Sequence, residues 1–365
     1  MTEPRAPHAP PYCPNPNCSF HRNPTGWRYK RAGYHERLFA PQRIQRYRCC
    51  HCRRHFCEQT FRVSYWLKRP DLLEPVFHGM VACAAFRQLA RSLNVSPQTI
   101  ATHAARLGRL CLLFHDFNRP KGPFAEEQVL DSFQSFEYSQ YTPTLFHLIG
   151  SRDSHFFHGF TDSELRRSGS MRKGQKKRRA KLEAQFGKPD PASIRKEVAV
   201  LMQIVLPKPQ ALVLHSDLHE DYPRAFKAVP HLSIEHHKTS SRAARTSENK
   251  LFPVNLMDLL IRHSGANHKR ETIAFSKRRQ SAAERLWITL VWRNWMKWFS
   301  ERRHEWTPAM KAGVATEKLG LATLLRERLF VTRNPLPERW ADYYWRKIPT
   351  RHLRNCRSHA LKYAF

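Results

Sequence analysis

The sequence predicts a multidomain α/β protein: a cysteine-rich amino-terminal segment and a helical module precede a core built on a mixed β-sheet, and a helical extension follows. Three observations support this prediction. The chain of 365 residues is long enough for two or three domains. Two pairs of closely spaced cysteines lie near the amino terminus, and short strand-forming runs alternate with amphipathic helices from about residue 127 onward. We place the domains at 1–70, 71–118, 119–300 and 301–365, with a basic helical insertion at about 162–206.

The composition indicates a folded protein with a polyanionic partner. Lys and Arg number 63 against 30 Asp and Glu, a net charge of +33, which favours nucleic acid, although ribosomal and membrane-surface proteins are also basic. The hydrophobic fraction of 41% argues against disorder. The amino terminus does not resemble a signal peptide, and no apolar run approaches the ~20 residues of a membrane helix. We therefore expect no membrane partner, a cytoplasmic location in association with the nucleoid, and reduced cysteines.

The cysteine pairs predict a zinc ribbon. Four residues separate Cys13 from Cys18, and two separate Cys49 from Cys52. Two such pairs, brought together by a hairpin, provide the four thiolates that Zn²⁺ binds in a tetrahedron. A segment with so little core of its own should fold only with its metal. The spacing leaves other ligands open, and the alternative is a basic arm with free thiols; the other nearby candidates are Cys50, His51, His55 and Cys57.

The next segment predicts a helix-turn-helix. Asn94 and Val95 form the turn, Ser96 caps the following helix, and Pro97 occupies its first position. With Ile100 and its neighbours buried, the other face of this helix would carry polar side chains able to reach base edges in the major groove. The predicted DNA-contacting residues are Gln98, Thr99, Thr102, His103 and Arg106. The alternative is an ordinary helical hairpin between two domains.

Three strand-forming runs predict an antiparallel meander at the start of the core. They span Val129 to Glu137, Leu145 to Ile149 and His155 to Phe160, and turn-forming residues separate them. Asp131 interrupts the otherwise apolar and aromatic first strand. A single acid on a strand usually faces solvent, so its significance depends on further acids placed near it.

A cationic helix and a second acid follow. The helix is predicted to end at Phe186, and its phosphate-contacting residues would be Lys176, Lys177, Arg178 and Arg179, which should make binding depend steeply on salt. After another helix that ends near Val205, an apolar run from Ala211 predicts a buried strand that ends at Asp217. Ligands of open α/β sheets bind at the carboxyl ends of the strands.

The third acid lies on a helix. A short helix from Tyr222 and a strand from Leu232 to His236 precede a basic loop, in which Lys238, Arg242 and Arg245 are predicted to contact DNA. The helix over residues 253–262 then places Asn255 and Asp258 on one face. An acid in so apolar a helix is costly without a partner or a metal.

This order of elements is close to that of the ribonuclease H-like fold, in which acids converge on two divalent metal ions. Hard oxygen ligands suit Mg²⁺ or Mn²⁺. Together with the cysteine pairs, the helix-turn-helix, His215-Ser-Asp217 followed by Tyr222, and Asn255-x-x-Asp258, the chain resembles a bacterial insertion-sequence transposase with an acidic triad. The resemblance spans nearly the whole chain, and the segments 271–277 and 307–310 share it.

The resemblance implies that Asp131, Asp217 and Asp258 are catalytic and hold Mg²⁺, and that Asn255 supports them. The third acid here is Asp where Glu is commoner in the family; Glu271 is therefore an alternative and Glu284 a weaker one. The implied activity is metal-dependent cleavage and strand transfer at element ends, with end and target DNA as partners and a homo-oligomer when bound to DNA. The alternatives are an inactive sequence-specific DNA-binding protein and a ribonuclease H-like nuclease, to which a helix-turn-helix is poorly suited.

The carboxyl-terminal region is predicted to be helical and aromatic. One helix is expected from Ser276 to Phe299, with its tryptophans in the core, and another from Leu319 to Phe330. The sequence leaves open whether the aromatic residues between Trp340 and Trp345 fold back on the core or contact DNA.

Overall fold

The computed structural model describes residues 9–38, 41–240, 242–244, 246–269, 271–326 and 328–353. The predicted DNA-contacting Arg245 lies outside the described residues. Within them the protein is a mixed α/β structure with a small antiparallel sheet and a larger mixed sheet. No helix in these ranges is both long and apolar enough to span a lipid bilayer.

The small sheet follows the amino-terminal cysteines. Its three antiparallel strands are ordered β1-β2-β3, and aromatic residues around Tyr47 and Phe56 form its limited core. The strands are β1 (Tyr29–Glu36), β2 (Arg43–Cys49) and β3 (His55–Cys57). This sheet packs onto the carboxyl-terminal region, where the backbone N–H of Arg328 donates to the carbonyl of Phe61 at 3.0 Å.

Three helices follow, and the third is the longest of them. They are α1 (Leu73–Val81), α2 (Phe86–Ser92) and α3 (Pro97–Asn118). Asn94 has a φ of 49° in the predicted turn, and the Ser96 hydroxyl accepts a hydrogen bond from the Thr99 backbone N–H at 3.1 Å. The turn and the cap are therefore confirmed. Beyond its first two turns, α3 is buried in the main apolar core.

The larger sheet has the order β6-β5-β4-β7-β8. Its strands are β4 (Gln128–Phe136), β5 (Pro143–Ser151), β6 (Phe157–Glu164), β7 (Gln210–Ser216) and β8 (Leu232–Lys238). β4, β5 and β6 form an antiparallel meander, which confirms that prediction, whereas β7 and β8 run parallel to β4. The first strand of the meander therefore lies at the centre of the sheet.

Helices cover both faces of this sheet. The solvent-exposed cationic helix α4 (Lys173–Phe186) precedes α5 (Ser193–Val205) and α6 (Asp221–Phe226), and these last two pack on one face through Leu130 and Leu214. The helix α7 (Phe252–Ser264) packs on the opposite face, where Val129 and Phe133 join the core that contains α3.

The carboxyl-terminal region folds back on this core. The helix α8 (Arg279–Val291) lies along α3 and continues into a wider turn, Trp292–Met296, in which Asn294 hydrogen-bonds to both the backbone N–H and the carbonyl of Phe157. Anchoring Asn294 to β6 accounts for the departure from the single predicted helix. Three short helices follow: α9 (Pro308–Lys311), α10 (Leu321–Arg326) and α11 (Glu338–Tyr344). Trp340, Tyr343 and Tyr344 are buried, so these aromatic residues belong to the core.

Candidate functional site

The four amino-terminal cysteines converge. The sulfur atoms of Cys13, Cys18, Cys49 and Cys52 all lie within 4.8 Å of one another, and the Sγ atoms of Cys13 and Cys52 are 3.5 Å apart. Thiolates around a tetrahedral zinc ion are about 3.8 Å apart, given Zn–S bonds of about 2.3 Å. These four residues could therefore hold Zn²⁺.

Hydrogen bonds prepare one of these thiols to ionise. Burial by itself would raise the pKa of Cys49, but the Trp27 indole N–H, which lies 3.2 Å from its sulfur, and the backbone N–H groups of Cys52 and His51 lower the pKa to about 7. The thiolate is the form that binds metal. The ribbon backbone thus stabilises the charge that a zinc ligand carries.

The predicted acids line one cleft. Asp131, Asp217 and Asp258, together with Asn255, contribute to a cleft of about 490 Å³. All three carboxylates are half-buried. They come from the central strand, from the end of a neighbouring parallel strand and from a helix on the same face, so only the tertiary fold brings them together.

The register of the sheet aligns the first two acids. Leu130 pairs with Ser216 across the parallel strands β4 and β7, so Asp131 and Asp217 follow at the same level. Neighbouring strands lie about 4.8 Å apart, which places the two backbones side by side. The Asp217 carboxylate also accepts a hydrogen bond at 2.9 Å from the His219 backbone N–H, which fixes the turn after β7.

Tyr222 lies close enough to these two acids for their charges to affect it. Burial raises the pKa of its hydroxyl well above the ordinary value, and the negative charges of Asp131 and Asp217 add to the shift. The hydroxyl is 2.8 Å from Ser132 Oγ, which in turn lies 2.7 Å from His147 Nδ1. Tyr222 therefore stays a neutral hydrogen-bonding group that ties α6 to β4.

Asp258 is placed by Arg262, one turn further along α7. The guanidinium Nε donates to the Asp258 carboxylate at 3.3 Å, and Nη2 donates at the same distance to the Gln134 carbonyl of β4. Arg262 and Lys269 also line the cleft. These two cations were not expected from the sequence motifs, although the i, i+4 spacing of Asp258 and Arg262 predicts that Arg262 pairs with Asp258.

The three acids are more widely spaced than the four cysteines. In the described part of the chain, only the four cysteines bring three or more ligand atoms within 4.8 Å of one another, so the three carboxylates are spread more widely. Half-buried carboxylates on neighbouring strands repel each other unless cations lie between them. This donor set fits Mg²⁺ or Mn²⁺.

The two substitute acids lie elsewhere. Glu271 is exposed and does not line the cleft. Glu284 is buried on α8, where its carboxylate pairs with Arg346 at 2.8 Å. Glu284 is thus engaged in the core between helices.

Two predicted DNA-contacting residues on α3 do not face solvent, which corrects the sequence analysis. His103 and Arg106 are buried, with exposed fractions of 3% and 4%. Arg106 donates hydrogen bonds to the Val63 and Tyr65 carbonyls, and His103 contacts the Arg69 carbonyl. The face of α3 assigned to DNA is instead partly covered by the preceding chain.

Most of the other predicted DNA-contacting residues are accessible. Thr99 is half-buried, and Arg179 is half-buried and pairs with Glu183 at 3.4 Å. The exposed ones are Gln98, Thr102, Lys176, Lys177, Arg178, Lys238 and Arg242. Ser240 and Ala243 line the acidic cleft, so the chain that carries Lys238 and Arg242 passes along it.

Comparison with known proteins does not assign this chain to a family. No family model and no curated protein matches the chain. Among solved structures, one match is to a chain in the cryo-electron microscopy structure of the simian T-cell lymphotropic virus intasome in complex with PP2A regulatory subunit B56 gamma. It covers 63% of this chain and 70% of that chain, at 11% identity and a TM-score of 0.27. A similarity this weak is not evidence for any function.

Proposed function

We propose that this protein is a DNA transposase of the ribonuclease H-like class, which cuts and joins DNA at the ends of an insertion sequence. The observation that carries the proposal is the shared cleft of Asp131, Asp217 and Asp258. The resemblance in sequence implies catalytic roles for the same three acids. The sheet supports the proposal, because its elements follow the order on which the resemblance rests.

In this proposal the three acids hold Mg²⁺ or Mn²⁺, with Asn255 beside Asp258. The ions would activate a water molecule or a 3′-hydroxyl and stabilise the leaving oxygen of an in-line displacement. Asp131 and Asp217 fix the site to the rigid sheet, and Arg262 keeps Asp258 in place. Glu271, which lies outside the cleft, is a weaker choice for the third acid.

Accessible cations favour DNA as the substrate of this cleft. The chain that carries Lys238 and Arg242 passes along it, and the α4 helix from Lys173 to Phe186 has no buried residue and exposes a cationic surface. Such surfaces bind the phosphate backbone without regard to sequence. Sequence preference would come from Gln98, Thr99 and Thr102 on the first turns of α3.

The test is a nicking and strand-transfer assay on DNA that flanks the coding region of this protein, with Mg²⁺ or Mn²⁺. Asp131→Asn and Asp217→Asn should each abolish metal-dependent nicking and leave DNA binding nearly unchanged. Asp221→Asn is the matched control, because Asp221 lies on α6 outside the cleft and pairs with Arg224.

A second pair of variants distinguishes the third acid. Asp258→Asn should abolish nicking, whereas Glu271→Gln should retain it. Wild-type nicking by Asp131→Asn or Asp217→Asn would refute the assignment. Tight, salt-sensitive binding without nicking under either metal would instead indicate an inactive DNA-binding protein.

A further inference from the structure

The segment Arg62–Arg69 joins the small sheet to the helices and lies along α3. Arg106 Nη1 donates to the carbonyls of Val63 and Tyr65, at 2.7 and 2.5 Å, and His103 Nε2 lies 2.8 Å from the Arg69 carbonyl. Two side chains of α3 thus hold three backbone carbonyls of this segment, which we name the Trp66 loop. So many hydrogen bonds to backbone give the loop a defined shape.

The loop turns one large side chain outward. Val63 and Leu67 are buried in the main core, with exposed fractions of 0% and 6%, whereas Trp66 is 56% exposed. The φ of Trp66 is 60°, a conformation that costs a residue other than glycine about 1 kcal/mol or more and persists only where the surroundings impose it. The fold therefore maintains a strained backbone that presents an indole ring at the surface.

The Trp66 loop lies beside the exposed start of α3. His103 contacts the carbonyl of Thr99 with one ring nitrogen and that of Arg69 with the other, both at 2.8 Å. The end of the loop is therefore one helical turn from Thr99 and next to the turn that carries Gln98. In helix-turn-helix proteins this end of the second helix enters the major groove, and the parts beside it meet the adjacent DNA strand.

The charge of the loop suits a DNA strand. Arg69 and Asp71 form a bidentate ion pair, which neutralises the one acid near the end of the loop. Lys68, two residues from Trp66, is exposed. An exposed aromatic ring can pack against the sugars of a DNA strand, and a neighbouring cation can contact its phosphates.

We propose that the Trp66 loop is a second DNA-contacting element, which packs Trp66 against the strand beside the groove that α3 enters and places Lys68 on a phosphate. His103 and Arg106, which sequence reasoning assigned to base contacts, are positioning residues that hold this loop. The inference rests on the proposed DNA binding. It adds a DNA contact made by the Trp66 loop to those proposed for α3.

The test measures affinity with the full-length, zinc-loaded chain. The probes are a labelled duplex enriched from a randomised pool by the wild-type protein and a shuffled duplex of equal length. Trp66→Ala should weaken binding to the enriched duplex about 10-fold, because the ring would no longer pack against the strand, and Trp66→Phe should retain most of the affinity. Trp306→Ala is the matched control, because Trp306 is 52% exposed on the carboxyl-terminal region.

Lys68→Ala should weaken binding to both duplexes and reduce the slope of log affinity against log salt by about 1. For His103, a double-mutant cycle separates positioning from general stability. His103→Ala should weaken binding in the wild-type background and have little further effect in the Trp66→Ala background.

The outcomes distinguish the loop from the proposed function. If the wild-type chain enriches no duplex, the DNA binding of the proposed function fails. If the wild-type chain binds but Trp66→Ala binds equally well, with an unchanged unfolding midpoint and zinc content, the loop makes no contact and this inference is overturned. Equal losses in Trp66→Ala and Trp306→Ala would also overturn it, because the effect would then not be local.

Discussion

Gly108 lies where α3 meets α8, and replacing it with alanine should destabilise the protein. A Cβ atom at this position would lie 2.5 Å from the backbone oxygen of Glu284 and 2.8 Å from its Cα. Non-bonded heavy atoms prefer about 3.5–4.0 Å, so the two helices would have to separate by about 1 Å. Leu107 and Ala283, beside the contact, are fully buried, so a movement of either helix disturbs the main core.

The size of the effect follows from two opposing contributions. Overpacking of a buried site typically costs up to about 3 kcal/mol, and the obstructing atoms here belong to backbone, which does not change rotamer. Alanine in a helix interior is favoured over glycine by about 1 kcal/mol. Gly108→Ala should therefore lower the free energy of unfolding by about 2 kcal/mol.

Urea unfolding of the zinc-loaded chain, followed by circular dichroism, measures this change. Gly174→Ala is the control, because Gly174 lies near the start of the exposed helix α4 with no atom within 4 Å of the added Cβ. It should leave stability unchanged or raise it by about 0.5 kcal/mol. A Gly108→Ala protein as stable as wild type would refute the close helix contact.

Three further predictions concern burial, pH and zinc. Gly159 has a φ of 148° and faces the Trp340 ring. Gly159→Ala should therefore lower the free energy of unfolding by about 3 kcal/mol in the same urea assay. A smaller loss than for Gly108→Ala would contradict the ring contact. Burial raises the pKa of Glu137 from 4.5 to about 7, so the folded state binds more protons than the unfolded state in that range, and stability decreases as the pH rises through it. Glu137→Gln should remove up to about 3 kcal/mol of this decrease. If the free energy of unfolding depends on pH in the same way in the variant and the wild type, Glu137 does not titrate in this range. Zinc analysis should find one equivalent of zinc per chain. The zinc content should be lower in Cys49→Ser and unchanged in Cys50→Ser, because Cys50 is exposed and lies outside the cysteine cluster. Less than half an equivalent in the wild-type protein would rule out the zinc ribbon.

Much of the local structure could be predicted because its causes are local. The meander follows from β-branched and aromatic runs between turn residues, and the start of α3 from a capping serine followed by proline. The cysteine pairs indicate a metal cluster because short spacing already places each pair together. These signals lie within a few residues of the structure that they specify.

The environment of a helix face could not be predicted in the same way. Periodicity places His103 and Arg106 on the polar side of α3, but it does not show that the Trp66 loop lies against that side. Likewise, the aromatic residues around Trp340 suit either a core or a DNA surface. Gly159 leaves room for the Trp340 ring against β6, and this contact between distant parts of the chain decides for the core.

The sequence by itself indicated a basic α/β chain, the zinc ligands to be tested and the three acids of the proposed site, because residue type, spacing and charge are properties of the chain alone. Only the tertiary structure decided that these acids share a cleft. The level of Asp131 relative to Asp217 depends on the register of two parallel strands, and the approach of Asp258 depends on the packing of α7 across the sheet. Register and packing are set by burying apolar side chains from remote segments in one core, and no local pattern contains that information.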